Sequence, residues 1–487
     1  MTGPRTFPAL FIITALAPLA ARAETLTLDQ CVAIALRDSP DTAVANLEIE
    51  AAQAKKDSAR GGYSPRLRLD AGIQRWDTTF SAPLFGMLPM YCSTCNWDPV
   101  MVPDASGTLV PLQRKNPDGT PMTDANGKPV NVLKIQTDYL IFRPQWTWSA
   151  GVTLAQPLGA LWTVYEANQL AKLGIDVAEI KRKAAKRDVA YQVTEAYYRV
   201  LQAKRMAEVA ERSVEQVATQ VKRARTFFER GAVARNDVLR AELGLASAQQ
   251  RLIQAKGGVI LAAGRLAPLM GRSPDSPIDP VDIAGPPDAQ PPIAASQAEE
   301  QAVGSRIELK ELAATIDLAE GGVSLSKSKM VPQVNAVANY TRATSSLLGL
   351  PKSWFIGLTA SWDIWEGGST YYGIEESKVR LAQAQAARRK VEDMIRLDAR
   401  SAHVGVTTAM EALEVASSAV VSAEENFRME QKRYESASNT SFDVLDAETQ
   451  LTTARGQHQA AIYEVLIARS NLARAMGEVH PAAKAAP

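Results

Sequence analysis

The chain has 487 residues, with 54 basic and 53 acidic side chains and a formal net charge of +1. This balance excludes nucleic-acid binding through bulk positive charge. The three histidines are scattered, and the sequence has no catalytic triad, phosphate-binding loop or clustered metal ligands. We therefore expect no enzyme activity, no catalytic residue, no metal site and no cofactor.

Residues 1–23 have the parts of a secretory signal peptide. Arg5 supplies a basic start, residues 7–20 are mostly apolar, and Ala21 and Ala23 place small residues before the cleavage position. The apolar run is shorter than the roughly 20 residues of a transmembrane helix, so an uncleaved anchor is the weaker alternative. No other segment has the composition expected of a membrane-spanning helix.

The rest of the chain repeats itself. A shift of 206 positions places Trp148 on Trp354 and continues without a gap to Gly271 on Gly477. Upstream the shift is 267, and the difference of 61 residues is an insertion in the first copy. A constant offset over such a length indicates that one structural unit was duplicated. The predicted parts are a first repeat at 24–284, a linker at 285–297, a second repeat at 298–477 and a tail at 478–487.

Each copy is predicted to contain a helix, two strands and a long helical hairpin. Pro40 is expected to break the helix of the first copy, because proline interrupts helical hydrogen bonding. In chain order we predict a helix at about 27–60, strands at about 65–80 and 144–158 flanking a loop at 81–143, a hairpin at 163–270, a helix at 298–329, strands at about 332–343 and 354–365, and a hairpin at 369–476.

The hairpins carry apolar seams with a period of 3.5 residues. From Val189 to Phe228, twelve positions at alternating steps of four and three are all apolar, and in the second copy Glu430 is the exception. Ten positions from Val238 to Leu269 are also apolar. This period predicts coiled-coil packing, with helices on the order of 100 Å long at about 1.5 Å per residue. An isolated four-helix bundle of unusual length is the alternative.

The four predicted strands alternate with period two. In 67–73, 146–154, 334–340 and 354–364, most alternate residues are apolar or aromatic, and tryptophans stand near strand ends. This pattern is typical of transmembrane barrel strands, although soluble antiparallel sheets also alternate. Four strands cannot close a barrel, and unpaired edges are not tolerated in lipid. Several protomers must then share one barrel, and three copies give about 12 strands.

The loop at 81–143 is rich in Pro, Gly, Asp and Asn, and contains Cys92 and Cys95. An oxidising environment favours a disulfide between them. Unpaired thiols remain an alternative, and a metal site is weaker because structural zinc takes four ligands. By strand direction the loop is expected to face the exterior. The alternatives for its role are a cover for the barrel, a receptor surface and a solvated loop. Cys31, on the apolar face of a helix, is predicted to be a core residue.

Together these features resemble the TolC family of outer-membrane efflux channels. The resemblance covers nearly all of the chain after the signal and rests on the duplication and on the motifs at 26–32, 39–40, 63–65 and 443–447. In that family three protomers form a β-barrel in the outer membrane, continued by a long α-helical tunnel across the periplasm. The resemblance implies a mixed α and β membrane protein, a homotrimer in outer-membrane lipid with four barrel strands per protomer.

The implied function is that of an outer-membrane channel in a Gram-negative bacterium. A periplasmic adaptor and an inner-membrane transporter dock beneath such a channel, and the transporter drives export. Drug or metal efflux is favoured over the alternative, the outer-membrane duct of a type I protein secretion system. A periplasmic coiled-coil adaptor is a rival from another class, but adaptors usually carry one hairpin, whereas this chain has two hairpins and four strands.

The resemblance also implies a periplasmic lock. Tyr434 and Asp237 match two members of the polar links that close the family's periplasmic mouth. The arginine expected at the third position is Asn439 here. Arg240, at the repeat position of Asp446, suggests a substitute ion pair.

Asp443 and Asp446 match the ring of aspartates that constricts the family's pore. Six carboxylates from three protomers would favour cations at the narrowest point. The alternative is that both acids only complement the start of a helix after Thr440.

Overall fold

The structure is a computed structural model. Cys92, Cys95, the predicted signal peptide and most of the predicted linker lie outside the described residues. The chain forms two compact units, which we call the helical unit (1–60, 163–330 and 365–487) and the sheet unit (61–162 and 331–364). The structure describes residues 24–83, 99–131, 139–282, 293–344, 352–436 and 438–480.

Eight α-helices occur in the described residues. They are α1 (Leu28–Asp38), α2 (Pro40–Gly61), α3 (Leu161–Glu229), α4 (Arg235–Leu269), α5 (Ala295–Ser305), α6 (Ile307–Ser328), α7 (Ser369–Glu435) and α8 (Ser441–Ala475). The strands are β1 (Glu24–Leu26), β2 (Arg66–Arg75), β3 (Phe80–Pro83), β4 (Met101–Pro103), β5 (Leu109–Pro111), β6 (Tyr139–Arg143), β7 (Trp146–Pro157), β8 (Ile278–Pro280), β9 (Gln333–Ala343) and β10 (Lys352–Ser361).

The helix bounds follow the two sequence offsets. A shift of 267 positions carries α1 onto α5 and α2 onto α6, and a shift of 206 carries α4 onto α8. The short helices break at Ser39 and Arg306, both with extended backbone (ψ 137° and 130°). The sequence analysis predicted a break only at Pro40. The prediction of one continuous helix at 298–329 is therefore wrong. The second break needs no proline because the Arg306 side chain is held by groups outside its own helices.

The predicted seams of the long helices lie inside the helical unit. Their positions are buried or half-buried, except Phe228 near the end of α3, which is 43% exposed. Gly244 allows α4 and α8 to approach closely, because a Cβ there would lie 2.9 Å from Leu445 Cδ2. Among the described helices, α7 contains a window of mean hydropathy 1.3, sufficient by length and composition to cross a membrane. The sequence analysis missed this window, which is weak evidence because the helices of a soluble core meet the same criterion.

A buried cluster joins α1, α3, α4 and the parallel pair β1–β8. Cys31 is fully buried in it, which confirms its predicted place in the core. The first residues of the predicted tail dock on α3, where the Tyr191 hydroxyl donates to the Glu478 carbonyl at 3.0 Å. Thr194 Oγ1 and His480 Nε2 lie 3.2 Å apart. Burial lowers the pKa of His480.

The sheet unit contains an antiparallel sheet with the strand order β10-β9-β7-β2. The strand predicted at 65–80 ends at Arg75, because its partner β7 begins at Trp146 and the chain then bends at Asp77 and Thr78. The strand predicted at 354–365 ends at Ser361, because its partner β9 begins at Gln333 and offers no further ladder.

The described part of the loop predicted at 81–143 is not irregular. Strands β3 and β6 pair, β4 and β5 form a hairpin, and two further turns follow. In each turn a glycine with positive φ donates to an Asp or Asn carbonyl: Gly107 (φ 84°), Gly119 (φ 84°) and Gly127 (φ 78°). Within 99–131 the Pro, Asp and Gly residues of the predicted loop therefore close hairpin turns, which the sequence analysis did not predict.

Candidate functional site

The strand register brings the four apolar stripes onto one face of the sheet. Leu69 lies opposite Val152, Val152 opposite Tyr340, and Tyr340 opposite Trp354. Residues directly opposite each other point to the same face, and alternate residues along each strand extend the row. We call this surface the apolar face; it consists of Leu67, Leu69, Ala71, Ile73, Trp148, Ala150, Val152, Leu154, Val334, Ala336, Ala338, Tyr340, Trp354, Ile356, Leu358 and Ala360.

The apolar face is exposed on the outer strands. Leu69 and Ile356, for example, are 73% and 77% exposed. The other face is mainly polar: Asn339 Nδ2 donates to Thr153 Oγ1 at 2.8 Å, and Thr341 Oγ1 donates to Asn339 Oδ1 at 2.8 Å. A contiguous apolar surface of this kind on a soluble monomer is rare and marks an interaction with another protein or a membrane.

The two edges of the sheet are also available. Within the described residues, β2 pairs only with β7 and β10 pairs only with β9. Since the four strands alternate in direction, β2 and β10 run in opposite directions. An edge β2 can therefore continue the antiparallel pattern with the β10 of a second copy.

The two hairpin tips meet through Ser441. Its Oγ donates to the Asp237 carbonyl at 3.1 Å and to Asp237 Oδ1 at 3.2 Å. Tyr434 is 1% exposed and packs on Phe227 with ring centroids 5.5 Å apart. Burial, with a smaller effect of the Asp237 charge, raises the pKa of Tyr434. Two predicted lock residues thus lie at the contact between the hairpins, and Ser441 is a linking residue that the sequence analysis missed.

Among the described residues, the other two predicted lock residues form no hydrogen bond or ion pair between the hairpins. Asn439 Nδ2 donates to the Glu430 carbonyl at 3.0 Å and to Glu430 Oε2 at 2.6 Å, within its own hairpin. Arg240 is exposed, and in the described part of this chain it has no ion-pair partner. A substitute ion pair of Arg240 is therefore not formed among the described residues of one protomer.

The two predicted pore acids occupy the start of α8. Asp443 Oδ2 accepts hydrogen bonds from the Thr440 amide at 2.9 Å and from Thr440 Oγ1 at 2.8 Å. These bonds, the amide first, lower the pKa of Asp443. Asp446 is exposed and accepts from Gln450 Nε2 at 2.7 Å. Asp443 therefore caps its helix, and the lowered pKa keeps its carboxylate ionised over a wider pH range.

A sheet with an exposed apolar face and two long coiled-coil hairpins in one chain define the class of outer-membrane channel proteins with a helical tunnel. The profile of the outer membrane efflux protein family matches residues 139–272 and 299–478, more than half of the chain. The chain belongs to this family, and the predicted TolC-like membership is confirmed.

One relative in sequence and two solved structures are similar to this chain. The outer membrane efflux protein BepC of Brucella suis is 24% identical over 299 residues, which span 59% of this chain and 63% of BepC. The matched part is thus less than two thirds of that relative's length. The Campylobacter jejuni CmeC outer membrane channel is similar with a TM-score of 0.67 at 15% identity, over 100% of this chain and 96% of CmeC.

The Neisseria gonorrhoeae MtrE outer membrane channel, in its open state, is similar with a TM-score of 0.63 at 17% identity, over 93% of this chain and 89% of MtrE. At these identities the two structures show the shared fold. BepC is named as an efflux protein and the other two as channels, and none is named as an enzyme.

Proposed function

We propose that the chain is the outer-membrane duct of a tripartite export system and works as a homotrimer. Three sheets join edge to edge, β2 to β10, into a barrel of about 12 strands with the apolar face toward outer-membrane lipid. The helical unit extends into the periplasm, where a periplasmic adaptor and an inner-membrane transporter dock. The family's description supports efflux, and within that function we favour small molecules or metal ions over type I protein secretion.

One observation carries this proposal: the apolar face is continuous across all four strands, and neither outer strand is paired at its second edge with any described residue of the chain. In lipid the apolar face is stable, but open edges leave backbone groups without hydrogen-bond partners. Identical copies satisfy both requirements because opposite strand directions at the two edges allow antiparallel pairing. The matching helix bounds under the two offsets support the proposed origin of the hairpins by duplication.

A matched pair of lysine substitutions tests the orientation of the sheet. Ile356 lies on the apolar face and Thr359, three residues along the same strand, lies on the opposite face; both are exposed. A lysine facing lipid near the midplane costs about 2–4 kcal/mol. Ile356→Lys should therefore sharply reduce the yield of heat-modifiable trimers in the outer-membrane fraction, and Thr359→Lys should leave it near wild type.

Equal yields of the two variants would contradict the proposed orientation. Purification of the wild-type chain without detergent as a water-soluble monomer would contradict the proposed function as a membrane channel.

We further propose that Asp443 and Asp446 of three protomers form the cation-selective constriction, with Asp237, Tyr434 and Ser441 holding the tips together. Asp443→Ala with Asp446→Ala should weaken cation selectivity and divalent-ion block in planar bilayers, because six negative charges are removed. Asp443→Glu with Asp446→Glu keeps the charge and is the control. Unchanged selectivity in the alanine variant would limit Asp443 to its capping role.

A further inference from the structure

A cavity of about 210 Å³ lies between α3, α7 and α8 in the helical unit. Its polar lining includes Glu448, Gln220, Gln216 and Gln431. Glu448 is only 2% exposed and Gln220 only 5%. Since a single water needs roughly 10–15 Å³ of such space, the cavity has room for a small ion with several waters.

The carboxylate in this cavity has hydroxyl partners but no cationic one. Ser213 Oγ and Thr452 Oγ1 both donate to Glu448 Oε1, at 2.6 and 2.8 Å. In the described part of the chain, no Arg, Lys or His forms an ion pair with Glu448. Nε2 of Gln220 is also buried at this cavity, and no described group is its hydrogen-bond partner. A buried carboxylate without a neutralising charge is costly.

The first repeat has an arginine where the second repeat has a glutamine. A shift of 206 positions places Glu242 on Glu448 and Arg225 on Gln431. In the first copy Arg225 binds the acid, with Nη2 and Nε at 2.6 and 3.2 Å from Glu242 Oε1. The second copy keeps the acid and buries it, but a neutral amide stands where the guanidinium would be.

We propose that this cavity binds a small monovalent cation, of the size and charge of K⁺, between Glu448 and the amide oxygens of Gln220 and Gln431. Carboxylate and amide oxygens are the ligands that hard cations take, and one carboxylate matches one positive charge. Gln220 presents its oxygen after rotation of the amide about a single bond.

The cation would connect the two hairpins. Gln220 lies on α3 of the first copy, whereas Gln431 and Glu448 lie on α7 and α8 of the second. A bound ion would therefore stabilise their association near the tips, at a site separate from the proposed pore acids.

Thermal unfolding of the purified full chain, carrying Asp443→Ala and Asp446→Ala to remove the pore acids, tests this site. KCl is exchanged for choline chloride at constant ionic strength, because the methyl groups of choline shield its charge and prevent close coordination by carboxylate and amide oxygens. The midpoint should rise with K⁺ and saturate. Glu448→Gln should abolish the K⁺-dependent rise, and the first-copy control Glu242→Gln should retain it.

Gln431→Arg places the first repeat's guanidinium in the cavity and provides a second, independent test. This variant should have a raised midpoint that no longer responds to K⁺. A K⁺ response that Glu448→Gln or Gln431→Arg leaves unchanged, or a parent that does not distinguish K⁺ from choline, would overturn the proposal. In crystals soaked with Tl⁺, which replaces K⁺, anomalous density should appear between Gln220 and Glu448; Tl⁺ bound only elsewhere would overturn it too.

Discussion

The two repeats follow nearly the same backbone but stabilise it with different side chains. At the break between the short helices the first copy has Ser39 and the second Arg306, and both residues donate their amide to the carbonyl four positions earlier. At the start of the return helix the first copy has Ala234 and the second Thr440, both extended. The comparison teaches that the course of the chain is shared, whereas the side chains that stabilise it at these two positions differ between the copies.

The Arg306 contacts show how far the second copy has diverged. Its guanidinium is 8% exposed and reaches three elements: Nε to Glu308 Oε2 at 3.0 Å, Nη1 to Asp398 Oδ2 at 2.9 Å, and Nη1 to the Ala475 carbonyl at 3.2 Å. Burial raises the pKa of Glu308, but the hydrogen bonds and charge of Arg187 outweigh it, so the net shift is downward. The break in α5–α6 is therefore stabilised through charge, where Ser39 uses only short-range hydrogen bonds.

The largest effect should follow from removing this arginine. Arg306→Ala should lower the free energy of unfolding by about 3 kcal/mol, because a buried ion-pair network loses its centre. Ser39→Ala, the repeat-equivalent change, should cost about 1 kcal/mol, since it removes the hydrogen bond that the Asp41 amide donates to Ser39 Oγ. Urea unfolding followed by helical circular dichroism measures both. Equal losses would show that the two breaks are stabilised in the same way.

A smaller effect is expected at the starts of the return helices. Thr440→Ala should destabilise α8 by about 1 kcal/mol through loss of helix capping. It should also raise the pKa of Asp443 part of the way toward its ordinary value, because it removes the hydrogen bond of the Thr440 hydroxyl but keeps the larger effect, the bond from the residue 440 amide. Ala234→Thr should instead stabilise α4, because its N-cap residue Ala234 makes no side-chain capping hydrogen bond.

The contribution of Asp443 to the free energy of unfolding should depend on pH, and its lowered pKa fixes the direction. A carboxyl group with a lowered pKa in the folded state stabilises above its unfolded pKa, and this stabilisation is lost as pH falls through the folded pKa. The difference in stability between wild type and Thr440→Ala should thus be largest near neutral pH and shrink in acid. NMR titration of the Asp443 carboxyl checks the pKa directly, and a titration curve identical in both proteins would refute the link.

The smallest effect is expected from Arg225→Gln, which gives the first copy the second copy's residue. The Arg225 and Glu242 side chains are 60% and 39% exposed, and exposed pairs contribute about 0–1 kcal/mol. The free energy of unfolding should fall by less than about 1 kcal/mol. A larger loss would show that this pair, like Arg306, acts in a network.

The periodic elements could be predicted from sequence because each signal is repeated many times. The seam positions, Phe228 excepted, are buried or half-buried in the helices, and the alternating stripes lie on one face of the sheet, as their spacing predicted. The second helix break could not be predicted, because Arg306 is extended through contacts with residues distant in the chain, such as Asp398. Local sequence carries no such information.

The candidate sites were predicted less completely than the fold. Asp443, Asp237 and Tyr434 were singled out by resemblance, but Ser441 was not, because a serine after a turn has the appearance of an ordinary cap. Glu448 was also missed, although the two copies held a signal for it. Its counterpart Glu242 lies 17 residues after Arg225, and the second copy has Gln431 at that position.

The hairpin turns at 99–131 have a consequence for variation among relatives. Each turn closes on itself within five residues, as where the Asp104 and Asn116 amides donate to the Thr108 and Thr120 carbonyls at 2.9 and 2.8 Å. The second and third turns are also linked to each other, since the Arg114 amide donates to the Val130 carbonyl at 2.8 Å and the Val130 amide donates to the Met122 carbonyl at 2.7 Å. We therefore expect substitutions at the exposed turn residues, which keep these backbone hydrogen bonds, to be tolerated better than insertions or deletions of a whole turn.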